Sequence, residues 1–169
     1  FYMQNNMDKA AAKFEAANGI EDNSISKNNL AAIEGMKGNR KKAKELLSQA
    51  SGAGDEVNYN LGILNIMDGA YASAVSNLGS DDSFNKGLAQ LLNGNADTGA
   101  KTVDGSVDKD SALGYYLKAI AAARTDKVNE IASNLKSAFA KDGSYKAKAA
   151  KDREFLKYFD NPTFSGIVK

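Results

Sequence analysis

YNLGILNIMDGAYASAVSNL, residues 59–78, decides the reading of the chain. Leu61, Leu64 and the pair Ile66 and Met67 recur at helical spacing, and Ala74, Val75 and Leu78 resume the pattern further on. Between them, Asp68-Gly69 is a turn signal, because glycine takes the positive φ that other residues avoid. The stretch predicts two short helices folded back antiparallel. Gly62 in the first and Ala74 in the second are small where the helices would touch, so the backbones can come close.

The same arrangement recurs on both sides. Asn29-Leu30-Ala31 stands for Asn60-Leu61-Gly62, Gly38 for Gly69, Ala43 for Ala74 and Leu47 for Leu78. These residues predict a helix pair over 24–51, ahead of the central pair over 56–79. A third pair over 82–104 has Phe84, Leu88, Leu91 and Leu92 in its first helix and turns at Asn93-Gly94-Asn95, with Ala100 in the small position. Its second helix, 96–103, contains Thr98, Gly99, Thr102 and Val103, none a strong helix former, and is expected to be short or frayed. A fourth pair over 110–141 has Thr125-Asp126 in place of the turn glycine and Ile131 in place of the small alanine.

The ends are read in the same frame. Met7, Ala10, Phe14 and Ala17 form one apolar face, so 1–18 reads as the second half of a repeat, stopped by Asn18-Gly19. Residues 51–55, SGAGD, read as a flexible joint. Asp81-Asp82 and Asp110-Ser111 are placed to cap the helices that follow them. A final helix is expected over 144–159, with Tyr145, Ala149, Leu156 and Phe159 on one face and Asp152 intruding on it. Lys136, Lys141, Lys146, Lys148, Lys151, Arg153 and Lys157 would give this end a polar outer surface.

The order Asn60-Leu61-Gly62, Gly69, Tyr71, Ala74, Leu78 resembles one unit of the tetratricopeptide repeat family, and KAKAAKDREFLKYF resembles the closing helix of some bacterial members. The resemblance implies an all-α fold: a right-handed α-α superhelix of antiparallel helix pairs over 1–169, closed by a C-terminal cap over 144–169. It also implies a protein or peptide partner bound on the concave face, which the first helices of the pairs line. The residues falling there are Asn28, Asn29 and Met36 from one unit, Tyr59, Asn60, Ile63 and Met67 from the next, then Lys86, Tyr116 and Arg124. Asparagine side chains can meet a peptide backbone, and Tyr and Met give adaptable apolar contact. The alternative is that Ile63, Met67 and Leu117 belong simply to the core.

Composition narrows the chemistry. There is no cysteine and no histidine. Disulfides, thiol nucleophiles and imidazole bases or ligands are therefore absent from these residues. A net charge of +1 offers no general attraction to nucleic acid or an anionic membrane, and the basic run Arg40-Lys41-Lys42 has no aromatic residue interleaved to stack on bases. No apolar run approaches the ~18 residues of a membrane-spanning helix. Asp104, Asp108 and Asp110 lie close together, but GSVDKDSA lacks the spacing of a calcium loop. GNADTG, residues 94–99, follows no strand and precedes no Gly-Lys-Ser/Thr, so it is a turn and not a phosphate loop. We expect no cofactor and no enzymatic activity, but an interaction scaffold. The alternative is an accessory domain that positions a larger enzyme or cell-envelope assembly whose active part lies upstream of residue 1. The chain opens on Phe1, which suggests a fragment or a processed form. The compartment is left open, with periplasm or cell envelope favoured over cytoplasm.

Overall fold

In a computed structural model, which describes residues 6–50 and 54–169, the chain is helical throughout, with no strand among the described residues. The start of the expected half-repeat, 1–5, and residues 51–53 of the expected joint lie outside the described residues. The helices are α1 Met7–Ile20, α2 Ser24–Met36, α3 Arg40–Gln49, α4 Asp55–Met67, α5 Tyr71–Asn77, α6 Phe84–Leu92, α7 Ala96–Gly105, α8 Ala112–Arg124, α9 Val128–Lys141, α10 Ser144–Ala149 and α11 Pro162–Val168. A 3₁₀ helix, Arg153–Tyr158, lies between the last two. They gather into two compact units, the first ending at Gly79 and the second starting at Ser80.

One turn is used four times. Gly38, Gly69, Gly94 and Asp126 are the residues of positive φ that end α2, α4, α6 and α8. After each, the next residue's N–H reaches five residues back: Asn39 to the Glu34 carbonyl, Ala70 to Asn65, Asn95 to Gln90 and Lys127 to Ala122, all at 2.8–2.9 Å. The positive-φ residue itself donates three back, as Gly38 does to Gly35. This is the Schellman arrangement, which satisfies the carbonyls a helix end leaves without partners. The next helix then runs back antiparallel, which pairs α2 with α3, α4 with α5, α6 with α7 and α8 with α9.

In the first unit, α1 packs on α2 and α3 on α4. Ala10, Ala11, Leu30 and Ile33 form one cluster, and Ala31, Ala43, Leu47, Ala50, Val57 and Leu64 another. Gly62 and Ala74 lie at the expected close contact. Ala74 is fully buried, and a Cβ on Gly62 would fall 2.6 Å from Leu78 Cγ. Helix α1 runs past Asn18-Gly19 to Ile20.

The second unit corrects several expectations. Helix α7 is ten residues long and is not frayed, and Gly99, Thr102 and Val103 are buried in it. The glycines are there because the α6–α7 crossing needs them: a Cβ on Gly99 would lie 2.6 Å from the Gly87 carbonyl oxygen, and one on Gly87 2.6 Å from Val103 Cγ2. The turn residue is Gly94, so the small position five residues on is Gly99 and not Ala100. Helix α6 is capped by Ser83, whose Oγ accepts from Lys86 N, and not by Asp81-Asp82. Ser111 caps α8 as expected, accepting from Gly114 N at 2.9 Å. The single helix expected over 144–159 is broken into α10 and the 3₁₀ helix. Phe155 is fully buried there, whereas Leu156, expected on the inner face, is 63% exposed. Tyr116, Ile131, Leu135, Phe155, Tyr158 and Phe164 form the core of this end.

Candidate functional site: the groove between α2 and α4

Helices α2 and α4 are in contact in the first unit and leave an apolar groove of about 310 Å³ between them. Ala31, Ala32 and Gly35 of α2 supply small residues, and Leu47 and Leu64 close the bottom. Met36, Asn60, Ile63 and Met67 complete the lining, which contains no ionisable side chain. Met36 and Met67 are each the last residue of their helix and are 63% and 48% exposed. The groove is thus open at its methionine end.

At the other end, Asn60 Nδ2 donates to Asn28 Oδ1 at 2.9 Å. This bond ties α4 to α2 and holds the two walls in register. Four of the residues expected to face a partner, Met36, Asn60, Ile63 and Met67, are therefore brought together, and Asn28 is bonded directly to one of them. Tyr59 is exposed and adjoins Asn60 on α4, while Asn29 is half-buried on α2. Sequence reasoning did not pick out Ala31, Gly35 and Leu64. The signal was present in the small residues at 31, 32 and 35, within the last turn and a half of the helix.

The remaining three expected residues lie in the second unit and are engaged there. Lys86 Nζ donates to the Ser80 carbonyl at 2.7 Å. Tyr116 is buried in the core, and its hydroxyl donates to Asp152 Oδ2 at 2.7 Å. Arg124 donates to both carboxylate oxygens of Glu154, at 2.9 and 2.6 Å, and to the Leu91 carbonyl at 2.8 Å. The Tyr116 and Arg124 contacts hold the terminal structure, and the Lys86 contact ties α6 to the loop before it. Asp152, the intruder on the expected apolar face, also accepts from Glu154 N and so starts the 3₁₀ helix. Burial, and then this hydrogen bond, raise the Tyr116 hydroxyl's pKa.

Two further polar clusters are structural. Glu34 is buried, and its carboxylate accepts from Asn39 Nδ2 at 2.7 Å and Lys42 Nζ at 2.9 Å. The Asn39 bond first, and then the Lys42 bond, hold its carboxyl below the usual carboxylate range. Beside the Asp104–Asp110 stretch, Lys118 Nζ donates to Asp104 at 2.8 Å and to the Lys109 carbonyl at 3.0 Å, and lies over the Tyr115 ring. Its ammonium thus supplies the positive charge beside Asp104, while Asp110 accepts from the Tyr115 hydroxyl. Among the described residues, no three acidic side chains converge as metal ligands would, and no helix is long and apolar enough to cross a membrane.

No family model matches this chain, and no curated protein matches it.

Proposed function

We propose that this chain is a non-enzymatic protein-interaction module, and that the α2–α4 groove takes an apolar segment of a partner protein. The observation that carries the reading is the groove itself, an uncharged lining with two exposed methionines at its open end. Methionine side chains are flexible and polarizable, which suits them to a partner surface. Exposed apolar side chains gathered in one place mark interaction sites more often than scattered ones do.

We further propose that the helix pairs belong to a tetratricopeptide-like right-handed superhelix. The support is the recurrence of one turn geometry at Gly38, Gly69, Gly94 and Asp126, each followed five residues later by a buried residue: Ala43, Ala74, Gly99 and Ile131. Small-angle scattering tests this reading; a profile incompatible with an extended, curved particle would count against it.

The functional test uses a partner that co-purifies with the full chain. Tyr59→Ala combined with Ile63→Ala should release it while far-ultraviolet circular dichroism is unchanged, since truncating an interface anchor commonly costs ~2 kcal/mol or more. Lys41→Ala, on the exposed face of α3, is the control and should retain it. Release by the control alone would place binding on the second helices and end the groove reading.

A further inference from the structure

We infer that the α10 end of the second unit docks on an anionic lipid surface, with Leu156 entering the headgroup zone among cations. The near-neutral balance of the chain conceals a local excess. Residues 136–157 contain seven cations and three carboxylates, where the whole chain has a net charge of +1. Lys141, Lys146, Lys148, Lys151 and Arg153 are all exposed. None of them forms an ion pair among the described residues; those of the second unit are made by Lys118, Arg124, Lys127 and Lys157. Two of the three carboxylates are half-buried and engaged with α8: Asp152 accepts from the Tyr116 hydroxyl, and Glu154 from Arg124. The third, Asp142, accepts from Ser144 N at the start of α10.

The fold brings two basic elements together. Tyr145 and Ala149 turn one side of α10 to the core, which leaves Lys146 and Lys148 outside. The Lys148 ammonium lies 4.8 Å from the centre of the Tyr116 ring. The hydroxyl of the same tyrosine holds Asp152, the residue between Lys151 and Arg153. Tyr116 thus joins α10 and the 3₁₀ helix under one basic surface. In the 3₁₀ helix, Phe155 and Tyr158 are three apart and buried, so Arg153 and Leu156, also three apart, share an exposed face. The bonds from Arg124 to Glu154 and from Tyr158 to Asp126 fix this helix, so the exposure of Leu156 is set by the fold.

Charge calls for an anionic partner, and Leu156 decides its kind. A nucleic-acid backbone is anionic but offers a leucine no apolar medium. An acidic peptide needs walls to hold it, and these side chains are exposed rather than half-buried as walls are. A bilayer of anionic lipid supplies phosphates that move to meet cations spread over two elements, and an acyl boundary for the leucine. Either signal alone binds a membrane weakly, and the two together bind it firmly.

The test floats the full chain with phosphatidylcholine vesicles, with and without phosphatidylglycerol, over a range of salt. Binding is expected only with phosphatidylglycerol and should weaken as salt rises. Lys146→Ala, Lys151→Ala and Arg153→Ala together should lower the partition coefficient roughly tenfold or more. Leu156→Ser should lower it about threefold or more with no change of charge. The control, Lys13→Ala, Lys41→Ala and Lys101→Ala together, removes as much charge from exposed sites elsewhere and should retain binding. Far-ultraviolet circular dichroism should be unchanged in all three. No binding to phosphatidylglycerol vesicles, or equal losses in the basic triple variant and the control, would overturn the inference. So would binding indifferent to Leu156→Ser. Tighter binding to duplex DNA or to a polyglutamate peptide than to the vesicles would make the partner a nucleic acid or an acidic protein, which also overturns it.

Discussion

Asp126 and Tyr158 join the last helix turn to the end of the chain: the Tyr158 hydroxyl donates to Asp126 Oδ1 at 2.6 Å and lies 2.8 Å from the Ala123 carbonyl. Asp126 also pairs with Lys157, and it is the one turn residue of the four that takes positive φ without being glycine. Glycine would fit that backbone with less strain, by about 1–2 kcal/mol. The carboxylate is therefore explained by what it holds and not by the turn.

Tyr158→Phe removes the donor and leaves the buried ring in place. We expect a loss of roughly 1 kcal/mol, with faster hydrogen exchange over 153–158. Asp126→Gly should preserve the α8–α9 turn and raise exchange over the same residues. Unchanged exchange there in both variants would show that the 3₁₀ helix is held by Phe155 and Phe164 alone.

Alkaline pH should loosen the same end. Burial, then the bond to Asp126, push the Tyr158 hydroxyl up to about 12. The folded pKa lies above that of a free tyrosine, near 10. The stability this difference provides is fully present below pH ~10 and is lost as pH rises through the folded value. The thermal midpoint should fall between about pH 10 and 12, and Tyr158→Phe should flatten part of that fall. A midpoint equally steep in the variant would assign the effect to Tyr116, whose hydroxyl is also raised by burial and by Asp152.

The acid side rests on Glu34. Its carboxyl is held below the ordinary value of 4.5, first by Asn39 and then by Lys42. The stability it supplies is present above pH ~4.5 and is lost as pH falls through the lower folded value. Glu34→Gln keeps the shape and removes the titration. Its urea midpoint should therefore be lower than that of the parent at neutral pH and should approach it in acid.

Close helix contacts give the sharpest stability contrasts. Gly99→Ala places a Cβ against the Gly87 carbonyl and should cost roughly 1–3 kcal/mol. Gly143→Ala meets open space with φ −61° and should be neutral or slightly stabilising. In the first unit, Ala74→Leu should overpack a fully buried contact with a similar cost, while the exposed Ala72→Leu should leave the urea midpoint nearly unchanged. Equal shifts within either pair would mean the crossings are softer than the distances indicate.

The helix pairs and their turns were legible because each turn needs a residue that tolerates positive φ, and glycine marks three of the four. The third pair was misread by one residue because Asn93-Gly94-Asn95 offers neighbouring turn candidates and Ala100 is as small as the position asks. The deciding fact, a glycine facing a glycine across two helices, is a tertiary relation. The break after Ala149 was hidden for a similar reason: the apolar spacing continues to Phe159, and Asp152, beyond the helix end, is used both as the cap of the 3₁₀ helix and as the acceptor for the Tyr116 hydroxyl. In the groove, the methionines, Ile63 and Asn60 were readable from the repeat frame. That Asn28 and Asn60 would bond to each other depended on the register of two helices.

The four turns close with bonds between residues three and five apart, and even a tertiary link such as Tyr116 to Asp152 spans only 36 residues. Such a chain has low contact order, and loop-closure entropy is small at each step. Each hairpin can form soon after its second helix leaves the ribosome, before the rest of the chain exists. The segment Arg153–Tyr158 is the exception in timing, since its anchors on Ala123 and Asp126 are made before it is. The second unit therefore completes only once Arg153–Tyr158 has emerged, and a nascent chain exposed no further than Lys141 would display the uncovered side of α8 and α9.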